Sequence, residues 1–263
     1  MIGEKVDGLT TGFDHLDKHL GGFKPGQLII IGSNPGMGKT SLALNMAYMG
    51  CKQSNLPVIF ISLEMEAQEV SARLLASNAR VDLGRIREKD FNLIDTENIT
   101  RVNLELKKMP FFISDNSKIN LTEIKNLCRN KKTEGELGFI VIDYLQLLGR
   151  NENPEIPYVE RISKLLRELK VMAKELQCPV IVLCQLDIQY EVVTNKKIKI
   201  TGRPSQANLR ETGDADVVLL LYRLDLKSKE ASPAEVIIAK NREGDTGTVK
   251  INWIGNHTRF EDL

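Results

Sequence analysis

The chain has 263 residues, 42% of them hydrophobic, which is enough for the core of one large or two small domains. Its 36 Lys and Arg residues against 35 Asp and Glu leave a formal net charge of +1, which excludes a globally basic nucleic-acid-binding surface. No secretory signal or apolar run of membrane length is visible, and three of the four cysteines lie in apolar stretches typical of reduced core thiols. We therefore expect a globular cytoplasmic protein that does not bind a membrane.

The strongest motif follows the first predicted strand. An apolar run at 29–31 breaks into a glycine-rich turn, after which a helix is predicted to open at 42–48. This order is typical of a phosphate-binding loop, in which Lys39 reaches the outer phosphates and the Thr40 hydroxyl binds the magnesium ion. The residues expected to contact the nucleotide here are Pro35, Gly36, Met37, Gly38, Lys39, Thr40 and Ser41. The alternative is an ordinary strand, turn and helix without a ligand.

Strands and helices alternate along the rest of the chain, after a turn-rich entry segment at 1–26. Buried strands are predicted at 57–63, 139–143, 179–184 and 216–222, and a short strand at 111–114. Helices are predicted at 67–79, 83–108 (with interruptions), 121–132 and 162–176. Two further strands, at 235–239 and 248–253, are predicted to close the sheet in antiparallel fashion. This alternation predicts an α/β fold with a doubly wound, mostly parallel sheet.

An acidic residue closes the strand predicted at 139–143. In a parallel sheet this strand ends beside the phosphate-binding loop, because the carboxyl ends of parallel strands meet at one edge. Asp143 at that position can hold a magnesium ion together with Thr40. The sequence therefore predicts a site for a polyphosphate and Mg²⁺ at this edge.

A long polar segment at 186–215 separates two predicted strands. From residue 186 to 210 it contains five Lys or Arg residues against two Asp or Glu, which leaves a local excess of three positive charges. A loop of this length in a compact domain is usually functional or mobile, and a basic loop on a neutral protein is where a polyanion is expected. The alternative, for its first half, is a solvated, disordered loop.

These motifs resemble the C-terminal motor domain of the DnaB family of bacterial and phage replicative helicases, a RecA-like ATPase. The matching segments lie at 8–17, 35–40, 62–65, 142–147, 182–186, 208–213 and 239–244. The segment at 142–147, Ile-Asp-Tyr-Leu-Gln-Leu, is the most discriminating, because generic RecA-like ATPases share its Asp but seldom the residues behind it. The resemblance implies one RecA-like helicase motor domain over 1–263, with 186–215 as its DNA-binding loop region.

The resemblance also implies roles for polar residues near the ends of the predicted strands. Glu64 corresponds to the catalytic carboxylate that orients and polarises the attacking water, or is a helix-start acid that stabilises the helix dipole. Gln185 corresponds to a sensor of the terminal phosphate, or is a satisfied polar residue at a strand end. Arg242, with Lys240 beside it, corresponds to an arginine finger that one chain supplies to the ATP of a neighbouring chain. The alternative is that both are solvated cations. Arg73 matches a nucleotide-contacting position, or is a helix-surface arginine.

Contacts to DNA are implied for the segment at 208–213. Backbone N–H groups and cations around Arg210, Glu211 and Gly213 would contact phosphates without reading the base sequence. The resemblance thus implies a motor that uses ATP and Mg²⁺ to travel 5′ to 3′ on single-stranded DNA and to unwind duplex. The expected assembly is a homo-oligomeric ring, most simply a hexamer, with primase and a helicase loader as further partners.

Three features differ from the family pattern. A short acidic and apolar insertion is missing between Gly213 and Asp214, the segment after Leu186 is longer, and no N-terminal helical domain or linker helix is represented. Two alternatives therefore stay open: a RecA-like switch of the RadA or KaiC kind that does not unwind DNA, and an isolated motor domain that binds nucleotide as a monomer. The residues at 144–147 favour the helicase over the switch.

Overall fold

The computed structural model of the chain describes residues 7–150, 153–186, 189–193, 196–200, 203–205, 212–226, 228 and 230–263. The helices are α1 (Asp14–Leu20), α2 (Lys39–Ser54), α3 (Ala67–Ala79), α4 (Leu83–Glu88), α5 (Leu93–Leu106), α6 (Leu121–Thr133), α7 (Leu145–Arg150) and α8 (Tyr158–Leu176). The strands are β1 (Leu28–Ser33), β2 (Val58–Ser62), β3 (Phe111–Ser114), β4 (Phe139–Asp143), β5 (Val180–Gln185), β6 (Gln189–Val193), β7 (Lys196–Ile200), β8 (Val217–Arg223), β9 (Ala231–Asn241), β10 (Gly247–Ile254) and β11 (Arg259–Asp262).

A nine-stranded sheet in the order β11-β10-β9-β8-β1-β5-β4-β2-β3 forms the centre of the fold. The strands from β8 to β3 in this order run parallel to one another. Strands β9, β10 and β11 pair antiparallel to their neighbours. The prediction of a doubly wound, mostly parallel α/β sheet is therefore confirmed, and so are the antiparallel closing strands.

Strand β1 is buried along its whole length, because both faces of the sheet are covered by helices. Ile29 and Ile31 pack with residues of α1, α2 and α3 on one face. Leu28 and Ile30 pack with residues of α6, α7 and α8 on the other. The alternation of side chains along a strand thus divides the core into two layers. The carboxyl ends of β1, β2, β4 and β5 meet at one edge of this sheet, where the phosphate-binding loop begins.

The structure adds elements that the sequence patterns did not predict. Helix α7 follows β4 directly, and β11 pairs with the end of β10 after a short 3₁₀ turn at Gly255–His257. The polar segment at 186–215, expected as a loop, contains the antiparallel hairpin β6–β7. Its β-branched valines and isoleucines favour extended backbone, although the charges between them suggest a loop when composition alone is read.

The four cysteines are buried and free, in agreement with the prediction of reduced core thiols. Burial raises the pKa of the Cys128 and Cys178 thiols to about 12, so both are protonated at neutral pH. Among the described residues, none of the helices combines the length and the apolar character needed to cross a bilayer.

The entry segment is held by one buried carboxylate, that of Asp17. This carboxylate accepts hydrogen bonds from the Thr10 hydroxyl and, at 2.8 Å, from the Thr11 backbone N–H. Leu9 also forms an isolated antiparallel bridge with Phe23, which closes the segment into a loop around α1. The turn-rich stretch that resembles a family signature therefore has a structural role. We call the hydrogen-bonded contact of Thr10 and Thr11 with Asp17 the clamp.

We predict that Asp17→Ala lowers the free energy of unfolding by about 2 to 3 kcal/mol, because the buried N–H of Thr11 loses a charged acceptor. Asp14→Ala serves as the matched control, since Asp14 is an exposed acid on the same helix and should change stability by less than about 0.5 kcal/mol. Urea denaturation of both variants measures the difference. Equal effects of the two substitutions would contradict the clamp.

Candidate nucleotide and magnesium site

The turn after β1 has the backbone of an anion-binding loop. Gly36 and Gly38 adopt positive φ angles of 80° and 95°, a region that glycine enters without steric cost. At Gly38 a β-carbon would also lie 3.2 Å from the Phe260 ring. Helix α2 starts at Lys39 without a side-chain cap and without an acid in its first turn, so its first backbone N–H groups are left for a ligand.

The residues predicted to form the phosphate-binding loop differ in whether their side chains are accessible to a ligand. Pro35 and Gly36 are exposed, whereas the side chains of Met37 and Ser41 are buried, so these two can offer a ligand only their backbone. The Lys39 side chain is also largely buried, with its ammonium 4.9 Å from the centre of the Tyr144 ring, within cation–π range.

Strand register brings the other predicted residues to the same edge. Ser33, which ends β1, is the partner of Gln185 at the end of β5. Ser62, which ends β2, is the partner of Asp143 at the end of β4. The Leu63 N–H then donates to the Asp143 carbonyl at 2.7 Å, so the chain turns at Glu64 directly beside this carboxylate residue.

Thr40 and Asp143 meet in a buried contact. The Thr40 hydroxyl donates to Asp143 Oδ2 at 2.7 Å, while Asp143 Oδ1 is buried and has no hydrogen-bond partner among the described residues. Burial raises the pKa of the Asp143 carboxyl, and the hydrogen bond from Thr40 and the charge of Lys39 act in the opposite direction. A hydroxyl and an incompletely paired carboxylate are oxygen ligands that suit Mg²⁺, so these two residues fit the predicted metal.

Glu64 and Arg73 lie around this carboxylate with different surroundings. Glu64 is exposed and forms no hydrogen bond or ion pair with the described part of the chain, and its charge raises the pKa of Asp143. Arg73 donates through Nε to Glu69 at 2.9 Å, one turn earlier on α3. Its charge opposes the rise in the Asp143 pKa that burial causes, while its hydrogen bond stays within α3.

Gln146 is a functional candidate that the sequence reasoning missed. Its side-chain amide donates from Nε2 to the Gln185 carbonyl at 2.8 Å and accepts from the Gln185 N–H at 3.1 Å. This two-point contact fixes the backbone of Gln185 next to the phosphate-binding loop, while the Gln185 side chain has no hydrogen-bond partner among the described residues. Gln146 belongs to the Tyr-Leu-Gln-Leu extension, and that motif was the available signal.

Lys240 and Arg242 are at the opposite edge of the sheet. Because β9 is antiparallel to β8, Asn241 pairs with Val217 at the beginning of β8, and the Arg242 N–H donates to the Asp216 carbonyl at 2.9 Å. The Asp216 N–H donates in turn to the Leu28 carbonyl, at the start of β1. The six residues of β1, about 20 Å at 3.3 Å per residue, therefore separate Arg242 from the phosphate-binding loop of its own chain.

Part of the predicted DNA contact lies outside the described residues, namely Arg210 and Glu211. Gly213 is described and lies in a turn with open space where a β-carbon would be. The Lys240 ammonium donates to the carbonyls of Thr212 at 2.9 Å and Gly213 at 3.0 Å. The C-terminal end of the protein segment predicted to contact DNA is therefore hydrogen-bonded to Lys240, one of the two residues predicted to act on a neighbour's ATP.

Comparison with known proteins gives consistent matches along the chain. The model of the DnaB-like helicase C-terminal domain family matches residues 8–262. The replicative DNA helicase DnaB of Leifsonia xyli is 38% identical over 98% of this chain and 56% of its own length. That of Geobacillus stearothermophilus is 35% identical over 98% of this chain and 57% of its own length. The chain thus spans a little more than half the length of these relatives.

Solved structures give the same picture. One of them, an ATPase domain, has a TM-score of 0.87 at 32% identity, and the match covers 98% of this chain and 92% of that one. A DnaB-like replicative helicase, described with its interactions with primase, has a TM-score of 0.86 at 31% identity, and the match covers 99% of this chain and 63% of that one. A RadB recombinase, at 20% identity and a TM-score of 0.57, shares the RecA-like fold alone.

We predict that Asp143→Asn raises the midpoint of thermal unfolding at pH 7 without Mg²⁺, because it removes a desolvated charge. When the pKa of a carboxyl is higher in the folded state than in the unfolded chain, its ionisation lowers the free energy of unfolding. This destabilisation by Asp143 decreases as the pH falls through the pKa of the folded state. At ATP and Mg²⁺ concentrations of about 100 Kd the native protein should gain about 2.7 kcal/mol, and the variant clearly less.

Glu136→Gln is the control for this comparison, because Glu136 is exposed in the loop that precedes β4. It should change neither the midpoint without Mg²⁺ nor the gain with ATP and Mg²⁺. An Asp143→Asn protein that is destabilised without Mg²⁺ and keeps the full gain with both ligands would rule out the magnesium site.

Proposed function

Because the chain belongs to the DnaB-like helicase C-terminal domain family, we propose that it is the ATP-driven motor of a replicative DNA helicase. It would move 5′ to 3′ along single-stranded DNA and unwind the duplex. The observation that carries this proposal is the buried contact of Thr40 with Asp143, whose second oxygen is left for a magnesium ion beside the phosphate-binding loop. Relatives named replicative DNA helicases support the reaction class.

The phosphate-binding loop of one chain, together with Lys39, Thr40 and Asp143, would bind ATP, and we call this half of the site the cradle. Backbone N–H groups of the loop and Lys39 bind the phosphates, and Thr40 with Asp143 would hold the magnesium ion, which neutralises phosphate charge when it is bound. Glu64, exposed beside Asp143 and without a partner among the described residues, is the group that orients and polarises the attacking water. Gln185 would contact the terminal phosphate from the next strand, where Gln146 steadies its backbone.

The arginine finger would come from a neighbouring chain. Arg242 cannot serve its own cradle, because the length of β1 lies between them. A patch that carries the cradle and a different patch that carries Lys240 and Arg242 define a head-to-tail contact between copies. Such contacts close into rings when the rotation permits, and we propose a homo-oligomeric ring, most simply a hexamer. There Arg242 would stabilise transition-state charge on the neighbour's ATP, with Lys240 beside it.

Single-stranded DNA is the proposed substrate, along which the motor would move. Phosphate contacts from the segment around Arg210, Glu211 and Gly213 would hold it without base specificity. Primase is a proposed partner, supported by the structural relative described with its interactions with primase. A helicase loader is proposed as a further partner, and a motor of this kind with four free buried cysteines would work in the cytoplasm.

We predict that Arg242→Ala lowers kcat for ATP about 1000-fold, the lower end of what an arginine finger contributes. Lys39→Ala is expected to abolish activity by disabling the cradle. An equal mixture of the two inactive variants should regain activity, since an intact cradle on the Arg242→Ala chain then meets an intact finger on the Lys39→Ala chain. Steady-state ATPase rates with and without single-stranded DNA measure this.

The matched control mixes Lys39→Ala with Glu64→Gln. Both substitutions disable the nucleotide-binding side of the shared site and leave Arg242 intact. No interface in that mixture combines a working cradle with a finger, so it should stay inactive. Size-exclusion chromatography with a non-hydrolysable ATP analogue checks that all mixtures assemble. Absence of rescue in the Arg242→Ala mixture, with assembly intact, would overturn the proposal that sites are shared between chains.

We predict that binding to single-stranded DNA weakens steeply with salt and depends little on base sequence, because the contacts are with phosphates. The slope of log K against log salt should be about −0.7 for each phosphate neutralised. Fluorescence anisotropy with oligonucleotides of equal length and different sequence, titrated at several salt concentrations, measures both properties. A strong sequence preference with a flat salt response would contradict this mode of binding.

A further inference from the structure

A buried carboxylate lies at the edge of the sheet opposite the phosphate-binding loop. Asp216, at the beginning of β8, exposes only 6% of its side chain. Its Oδ2 accepts from the Leu28 N–H at 2.8 Å and from the Lys170 ammonium at 2.6 Å. Its Oδ1 accepts from the Arg242 guanidinium at 3.1 Å. One side chain therefore joins β1, β8, α8 and the end of β9.

Arg242 is held at two points by this residue. Its backbone N–H donates to the Asp216 carbonyl at 2.9 Å, and its guanidinium donates to the Asp216 carboxylate. The Arg242 side chain is nevertheless 52% exposed. A guanidinium has five N–H donors in a planar fork, so a single contact fixes its direction while other donors remain free for a phosphate.

Fixing the direction of an exposed arginine has a kinetic consequence. A group that is already oriented before the reaction stabilises the transition state without reorganisation at that moment, and this raises kcat more than it strengthens substrate binding. A support of this kind is effective when it belongs to rigid elements. The support of Arg242 is rigid, since the same carboxylate is bound to the first residue of the central strand β1 and to α8.

We propose that Asp216 is a positioning residue that aims Arg242 at the nucleotide of the neighbouring chain. This inference rests on the proposed function, in which Arg242 acts in trans. It assigns to Asp216 a purpose beyond stability, because the contacts with Leu28 and Lys170 alone would hold the sheet and α8 together.

The test variant is Asp216→Asn, which removes the charge and keeps the shape. We expect kcat for ATP to fall about 100-fold, the effect of a misplaced catalytic group, with an unchanged KM, because the cradle of the same chain is intact. Mixing with Lys39→Ala should restore activity, as is expected for Arg242→Ala. In the background of Arg242→Ala, the second substitution should cause no further loss of kcat, since both act through one group.

A purely structural role gives a different pattern. If Asp216→Asn damaged its own cradle, KM would rise and the mixture with Lys39→Ala would stay inactive although the Arg242→Ala mixture recovers. That result, or a further loss of kcat in the Arg242→Ala background, overturns the positioning role and leaves the proposed function standing. If the Arg242→Ala mixture itself fails to recover, the proposed function is what fails.

A second variant covers the case in which Asp216→Asn does not fold. Asp216→Asn combined with Lys170→Met also removes the buried ammonium that loses its counter-charge, while the Asn oxygen can still accept from the Leu28 N–H. It removes the support of Arg242 and should give the same loss of kcat and the same rescue. Glu243→Gln is the control, because Glu243 is the exposed neighbour of Arg242 and pairs with Lys24 instead, so kcat should not change. Thermal unfolding of each variant is recorded alongside.

Discussion

The parallel pairing of β1 with β5 and β8 is the constraint on which the other features depend. It gathers the carboxyl ends of the central strands at one edge and their amino ends at the other. The phosphate-binding loop, Thr40 and Asp143 lie at the first edge, and Arg242 is bound at the second. A rigid, fully buried strand of six residues keeps the two apart, so in the proposed function one chain can complete the site only of another chain.

In the proposed function, each of these edges has a buried carboxylate beside a cation. Asp143 accepts from Thr40 with one oxygen, and its other oxygen has no hydrogen-bond partner in the described part of the chain, which suits the proposed metal ion. Asp216 has both oxygens occupied, by a backbone N–H, a lysine and an arginine. A buried charge is costly unless it is paired, so we assign the incompletely paired carboxylate to a ligand and the fully paired carboxylate to a support. The two roles follow from the number of partners.

Much of the fold was predictable because its central strands are apolar on both faces and alternate with helices. The five parallel strands after β1 and the two closing strands were all located from their apolar residues, with errors of a few residues at their ends. The hairpin β6–β7 was not, because the charged residues between its valines and isoleucines suggest a loop when composition alone is read. Strand β11 was missed as well, since its mixture of charged and aromatic residues has no clear period until it pairs with β10.

The sequence by itself determined the residue types at the first edge: a glycine-rich loop, a lysine, a hydroxyl and a strand-end carboxylate, because short motifs at the ends of apolar strands can be read without a structure. Only the tertiary structure decided which partners those residues have. The contacts of Gln146 with Gln185 and of Asp216 with Arg242 join residues far apart in the sequence, through strand register and helix packing. A motif gives residue types and their spacing, whereas the three-dimensional packing decides which of these residues hold others in place.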